Sequence, residues 1–98
     1  MAKVVLSMQY EIQDDKRNDY LGTIEKLKAH FAPNPFVKYS VYEQKGRRNS
    51  FVEMFIAETE DAFKQFEESD DEVADALANT LSDYFKDGKS KYLTCVEL

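Results

Sequence analysis

The sequence predicts an α+β fold of the ferredoxin-like type, a four-stranded antiparallel sheet with two helical segments on one face, in βαββαβ order over one domain spanning residues 1–98. Three observations predict it. Apolar side chains alternate at both ends of the chain and twice in its middle. They recur at three-to-four spacing in the two segments between, and no linker or low-complexity stretch breaks the series. Right-handed crossovers then bring the strands into one sheet.

Each element follows from local chemistry. From Lys3 to Ile12, Val4, Leu6, Met8, Tyr10 and Ile12 occupy every second position, which is strand period. Asp14 and Asp15 supply N-cap chemistry for a helix whose apolar stripe is Tyr20, Ile24, Leu27 and Phe31, and Pro33 and Pro35 stop it. Val37–Gln44 and Ser50–Glu58 are rich in β-branched and aromatic residues around Lys45-Gly46-Arg47-Arg48-Asn49, so they read as a hairpin. Thr59 can cap a helix from Glu60, and Ser69-Asp70-Asp71-Glu72 matches a capping box that predicts a break or restart. Val73, Leu77, Leu81 and Tyr84 extend the helical spacing to Gly88, a candidate left-handed C-cap, and Lys91–Leu98 returns to alternation.

Composition excludes several classes of function. The 98 residues carry 13 basic and 19 acidic side chains, and a formal charge of −6 opposes a phosphate backbone or an anionic membrane surface. No run reaches the ~20 apolar residues of a spanning helix, and residues 1–12 alternate rather than form a leader. One cysteine, Cys95, cannot form an internal disulfide. A soluble, cytoplasmic protein with no nucleic-acid or membrane partner is expected.

The third strand has no evident water-facing side. With Ser50 opposite Gln44, Tyr39 pairs with Phe55 and Val41 with Glu53 on one face, while Val52, Met54 and Ile56 share the other. A lone sheet with one face in water should place polar side chains there. Val52, Met54, Ile56 and the neighbouring Val5 are therefore expected to form a twofold homodimer interface.

Several segments in this frame resemble the antibiotic-biosynthesis-monooxygenase family of dimeric α/β-barrel proteins. They are Ile12-Gln13-Asp14-Asp15-Lys16-Arg17-Asn18-Asp19-Tyr20-Leu21, Tyr39 with Tyr42-Glu43, Gly46, and Asn49-Ser50-Phe51-Val52, and the likeness covers nearly the whole chain. The resemblance implies a homodimer with a pocket between helices and sheet in each subunit, here on the face of Met8, Tyr39, Phe55 and Ala57, with Phe63 and Phe66 above. It also implies an activity among cofactor-free oxygenases of quinol-like or polyphenolic compounds, haem-degrading enzymes and isomerases. This chain departs from the family at the chemistry. Phe55 and Ala57 stand where many relatives have Glu and Trp, Phe66 where many have His, and Met8 where haem-degrading relatives have Asn.

Among individual residues, Glu53 is the leading catalytic candidate. Surrounded by Tyr39, Val41, Phe51 and Phe55, its carboxyl would be desolvated and its pKa raised towards the range of acid–base work, unless a Lys or Tyr pairs with it. Tyr39 is the second candidate, and Tyr39 or Tyr10 could hydrogen-bond the hydroxyl of a small aromatic ligand. The only histidine, His30, reads as a helix-terminus interaction, and with one distant Cys no zinc set can be assembled. The acidic stretch Glu67, Glu68, Asp70, Asp71, Glu72 and Asp75 reads as a solvated helix start, Lys45, Arg47 and Arg48 as an exposed turn, and Cys95 as a packed thiol. No metal or cofactor is expected. Two readings stay open: a small-molecule enzyme or ligand-binding protein, nearest a cofactor-independent monooxygenase of phenolic or quinol-like compounds, and a non-catalytic homodimer whose pocket has filled with Phe55, Phe63 and Phe66.

Overall fold

The computed structural model describes residues 2–98. Four strands, β1 (Val4–Ile12), β2 (Lys38–Glu43), β3 (Ser50–Ala57) and β4 (Phe85–Val96), form one sheet in the order β2-β3-β1-β4, with every neighbouring pair antiparallel. Helix α1 (Arg17–Phe31) crosses from β1 to β2, and α2 (Glu60–Glu68) with α3 (Glu72–Ser82) crosses from β3 to β4. This is the ferredoxin-like arrangement. No helix is long and apolar enough to cross a membrane.

The hairpin register is the one the alternation predicts, with Tyr39 opposite Phe55 and Val41 opposite Glu53. Gly46 at φ +84° and Asn49 at φ +69° turn the chain, and the Gln44 N–H donates to the Ser50 carbonyl at 2.7 Å to close it. Side chains at alternate positions then point under the helices. Val4, Tyr10 and Ile12 of β1, with Phe51, Glu53, Phe55 and Ala57 of β3, meet Tyr20, Ile24, Leu27 and Phe31 of α1, Phe63 of α2 and Leu81 of α3.

Four expectations are corrected. Asp14 and Asp15 do not cap α1; Asp14–Lys16 form a 3₁₀ turn, and the Asp14 carboxylate accepts from Asn49 Nδ2 at 2.8 Å instead. The helical break falls where the capping box lies, but Asp71 rather than Ser69 caps α3, accepting from the Ala74 N–H at 3.0 Å, while Ser69 closes α2 by donating to the Phe66 carbonyl. Gly88 is not a helix C-cap. With Asp87 at φ +59° and Gly88 at φ +63°, it forms a bulge inside β4, where the register jumps from Tyr10 opposite Ser90 to Ile12 opposite Phe85. The bulge lets Phe85 pair into the sheet and stack on Tyr10, with ring centroids 4.3 Å apart, so β4 begins six residues before Lys91. Cys95 is exposed in the single chain, because it lies on the helix-free face beside Val5.

That helix-free face is apolar across its centre. Val5, Val52, Met54 and Ile56 are only partly covered, and Tyr42 and Leu93 on the same face are 54% and 58% exposed. β4 also overhangs the helical layer, leaving Tyr92 and Val96 uncovered on the other side.

Candidate functional site

Glu53 is 2% exposed, one of the most completely buried side chains in the protein. It is there because strand alternation at β3 assigns it to the helix-covered face between Phe51 and Phe55, opposite Met8 of β1 and Val41 of β2. The Tyr39 hydroxyl, displaced diagonally across the β2–β3 pair, donates to Glu53 Oε1 at 2.5 Å. Oε2 is buried with no hydrogen-bond partner among the described residues. Desolvation raises the Glu53 pKa above the ordinary carboxyl value, and the hydroxyls of Tyr39 and Tyr10 offset part of that rise.

The Glu53 carboxyl is thus both desolvated and paired with a tyrosine. Leaving one buried oxygen unmatched costs about 1–3 kcal/mol, a cost that structural residues seldom carry without cause. Burial and the neighbouring Glu53 also push the Tyr39 and Tyr10 hydroxyls well above the ordinary tyrosine pKa, so both stay protonated donors.

A second hydroxyl pair adjoins this one. Tyr10 and Tyr20 share a hydrogen bond of 2.7 Å, and Tyr20, a residue of α1, is fully buried. Helical spacing places Tyr20 on the apolar stripe of α1 and does not disclose its polar role. A buried tyrosine needs a partner for its hydroxyl, and that rule is the signal that could have found the pair.

The residues expected to line a pocket come together, but as a packed aromatic cluster. Phe55 lies 4.9 Å from Tyr39, 5.2 Å from Phe31 and 5.2 Å from Phe66 between ring centroids, and Phe63 lies 6.3 Å from Phe66. Phe55 and Phe63 are each 8% exposed and Ala57 is fully buried, while Met8 and Phe66 are half-buried at the margin. Tyr10 stands apart from this cluster, stacked on Phe85.

Two polar networks frame the site. Arg17 forms a bidentate pair with Glu43 at 2.6 and 2.9 Å, donates to Asn49 Oδ1 at 2.9 Å, and lies over the Phe51 ring. The guanidinium, together with the Asn49 N–H, holds the Glu43 pKa down to about 2. At the other end of α1, His30 Nε2 sits 2.8 Å from Asp71 Oδ2, so His30 ties α1 to the cap of α3. Its partner is the Asp71 side chain of the second crossover, which the sequence did not disclose. Among the described residues no three His, Cys, Asp or Glu side chains gather to hold a metal ion.

Comparison with known proteins reaches the fold and stops there. No family model matches the chain, and no curated protein matches it in sequence. Solved structures match over nearly their whole length. A conserved protein of Methanosarcina mazei Go1 superimposes with a TM-score of 0.82 at 12% identity, covering 97% of this chain and 92% of that one. A Nitrosomonas europaea protein named for the antibiotic biosynthesis monooxygenases gives 0.80 at 12% identity, with 98% and 90% covered. SnoaB, a cofactor-independent oxygenase from Streptomyces nogalater, gives 0.73 at 17% identity, with 95% and 90% covered. The chain thus has the ferredoxin-like fold of antibiotic-biosynthesis-monooxygenase-like proteins.

Proposed function

We propose that this protein is a homodimeric, small-molecule oxygenase that needs no cofactor, acting on a phenolic or quinol-like compound with Glu53 as its proton-transfer group. The observation that carries this reading is the buried Glu53 carboxyl, with one oxygen held by Tyr39 and the other unmatched. Desolvation in a dry interior makes this carboxyl a stronger proton acceptor than an exposed one, so it can take a proton from a substrate and give it back. The likeness to a cofactor-independent oxygenase supports the reaction class.

In this reaction Glu53 removes the phenolic proton, and the electron-rich anion transfers one electron to O₂. The radical pair joins at an activated ring carbon, forming a C–O bond. Glu53 returns the proton to the peroxide, the O–O bond breaks, and water leaves with the carbon's remaining hydrogen. The sum HO–Ar–H + O₂ → O=Ar=O + H₂O balances, because the substrate supplies all four electrons. Exclusion of water keeps the anion reactive towards O₂.

The partner subunit would cover Val5, Val52, Met54 and Ile56, which one chain leaves half-buried. Oxygen uptake with soluble quinols tests the activity. Glu53→Gln should lower kcat by ~100-fold, the usual scale of lost acid–base catalysis, and remove the limb of the pH–rate profile that Glu53 sets. Equal uptake by wild type and Glu53→Gln would sink the assignment.

One observation favours a second reading. The rings of Phe31, Phe55 and Phe66 occupy the space between helices and sheet, as expected of a non-catalytic dimer whose pocket has filled. A dimeric wild type that consumes no oxygen with any quinol would favour it.

A further inference from the structure

Two tyrosines flank Glu53 diagonally from the strands on either side of β3. Tyr39 lies two residues before Val41, the β2 partner of Glu53, and Tyr10 lies two residues beyond Met8, its β1 partner. Diagonal neighbours on one sheet face stand about 7–8 Å apart, within reach of long side chains. Tyr39 uses that reach to donate to Oε1 at 2.5 Å, while Oε2, on a residue 2% exposed, has no hydrogen-bond partner among the described residues. Burial raises the Glu53 pKa, and hydrogen bonding from Tyr39 and then from Tyr10 pulls it back. The Tyr10 hydroxyl is nevertheless engaged elsewhere, 2.7 Å from that of Tyr20, in a bond where either oxygen can be the donor.

A hydroxyl carries one proton, so Tyr10 donates to Tyr20 or to Glu53 but not to both at once. Counting protons gives two arrangements. With Glu53 protonated, the carboxyl is neutral and Tyr10 donates to Tyr20. With Glu53 ionised, Tyr20 donates to Tyr10, Tyr10 to Oε2 and Tyr39 to Oε1, which uses all three hydroxyl protons and matches both carboxylate oxygens. The surroundings add little charge to this balance. Beyond Tyr20, α1 brings Ile24, Leu27 and Phe31 to the same core, α2 brings Phe63, and α3 brings Leu81. Tyr84, between α3 and β4, is paired with Thr23, and Glu43 of β2 acts on Tyr20 from outside the core.

We propose that Tyr10 is a positioning residue for Glu53, its hydroxyl turning from Tyr20 to Oε2 when the carboxyl is ionised and turning back when the carboxyl takes up a proton. The inference rests on the reading of Glu53 as the proton-transfer group, and it explains how a buried carboxylate is held ready for that work. A charge-assisted hydrogen bond from Tyr10 steadies the anion. The return to Tyr20 frees Oε2 to carry the transferred proton, and Tyr20 supplies the alternative bond, so the Tyr10 proton is matched in both states.

The ¹³C shift of the Glu53 carboxyl, followed against pH in the intact protein without substrate and assigned by its loss in Glu53→Gln, reads the ionisation directly. Tyr10→Phe keeps the ring that stacks on Phe85 and removes only the hydroxyl. It should raise the Glu53 midpoint by at least ~1 pH unit, a tenfold loss of acidity. Tyr20→Phe removes one neutral hydrogen bond from each arrangement, so it should move the midpoint much less. A midpoint that responds to Tyr39→Phe but not to Tyr10→Phe would overturn the proposal, because Tyr10 would then stay with Tyr20 in both states. Equal rises in Tyr10→Phe and Tyr20→Phe would overturn it too, since they report loosened packing rather than a lost donor. The two readings fail separately. A midpoint raised by Tyr10→Phe in a protein that consumes no oxygen with any quinol keeps the positioning role and removes the oxygenase. Oxygen uptake that is lost in Glu53→Gln, with a pH–rate profile identical in wild type and Tyr10→Phe, keeps the oxygenase and removes the positioning role.

Discussion

Glu53 binds its proton more tightly in the folded chain than in the unfolded one, and the sign of its effect on stability follows. Below the ordinary value of 4.5 both states are protonated and the contribution is complete. As pH rises from there towards the folded value, the unfolded chain releases the proton first, so stability falls. Glu43, Asp14 and Asp71 act in the opposite sense, because partners lower their pKa values, and what they contribute is lost only as the medium becomes more acidic. The two windows do not overlap, so urea midpoints of the wild type should decline as pH rises above about 4.5, and Glu53→Gln should flatten that decline. A wild-type midpoint that rises across this range would contradict the assignment. Asn49 makes a different demand. It holds φ +69° at 6% exposure while bonding Arg17 and Asp14, so Asn49→Ala should cost about 2–3 kcal/mol, from strain and lost hydrogen bonds together. Asn49→Gly, free of the strain, should recover about 1 kcal/mol of that in chemical denaturation.

At the scale of elements, the second crossover is two helices because both termini at the break are satisfied by side chains. Ser69 donates to the Phe66 carbonyl at the end of α2, and Asp71 accepts from Ala74 at the start of α3. Asp71 also receives His30, so a single carboxylate caps one helix and tethers another. Asp71→Ala should therefore cost more than an ordinary cap, about 2 kcal/mol, whereas Thr59→Ala at the start of α2 should cost about 1 kcal/mol. Asp71→Ser should return the cap without the tether. Equal losses for Asp71→Ala and Thr59→Ala in thermal unfolding would show that the His30 contact contributes nothing.

Taken as a whole, the molecule has one covered sheet face and one bare one. A domain of 98 residues buries only about two-thirds of the surface its unfolded chain exposes, so a second subunit over Val52, Met54 and Ile56 would add a large fraction of its stability. A stable dimer typically buries about 800 Å² per partner, and the bare face with the overhanging β4 offers an apolar centre for such a contact. Wild type should sediment as a dimer at micromolar concentration. Ile56→Lys should dissociate it, by placing a charge at the centre of the contact. A wild type that stays monomeric and stable would remove the proposed interface.

Periodicity alone determined the order of strands and helices, the hairpin register and the placement of Glu53 beside aromatic residues, because side-chain direction in a strand depends only on position parity. Local chemistry likewise disclosed Thr59 as a cap. What lay beyond reach were the contacts between residues distant in the chain. The Tyr10–Tyr20 bond, the His30–Asp71 tether and the bulge at Asp87-Gly88 each join elements whose separation is set only when the helices pack on the sheet. Whether Phe31, Phe55 and Phe66 surround a space or fill it was likewise decided by tertiary packing, since ring orientation responds to neighbours and not to sequence spacing.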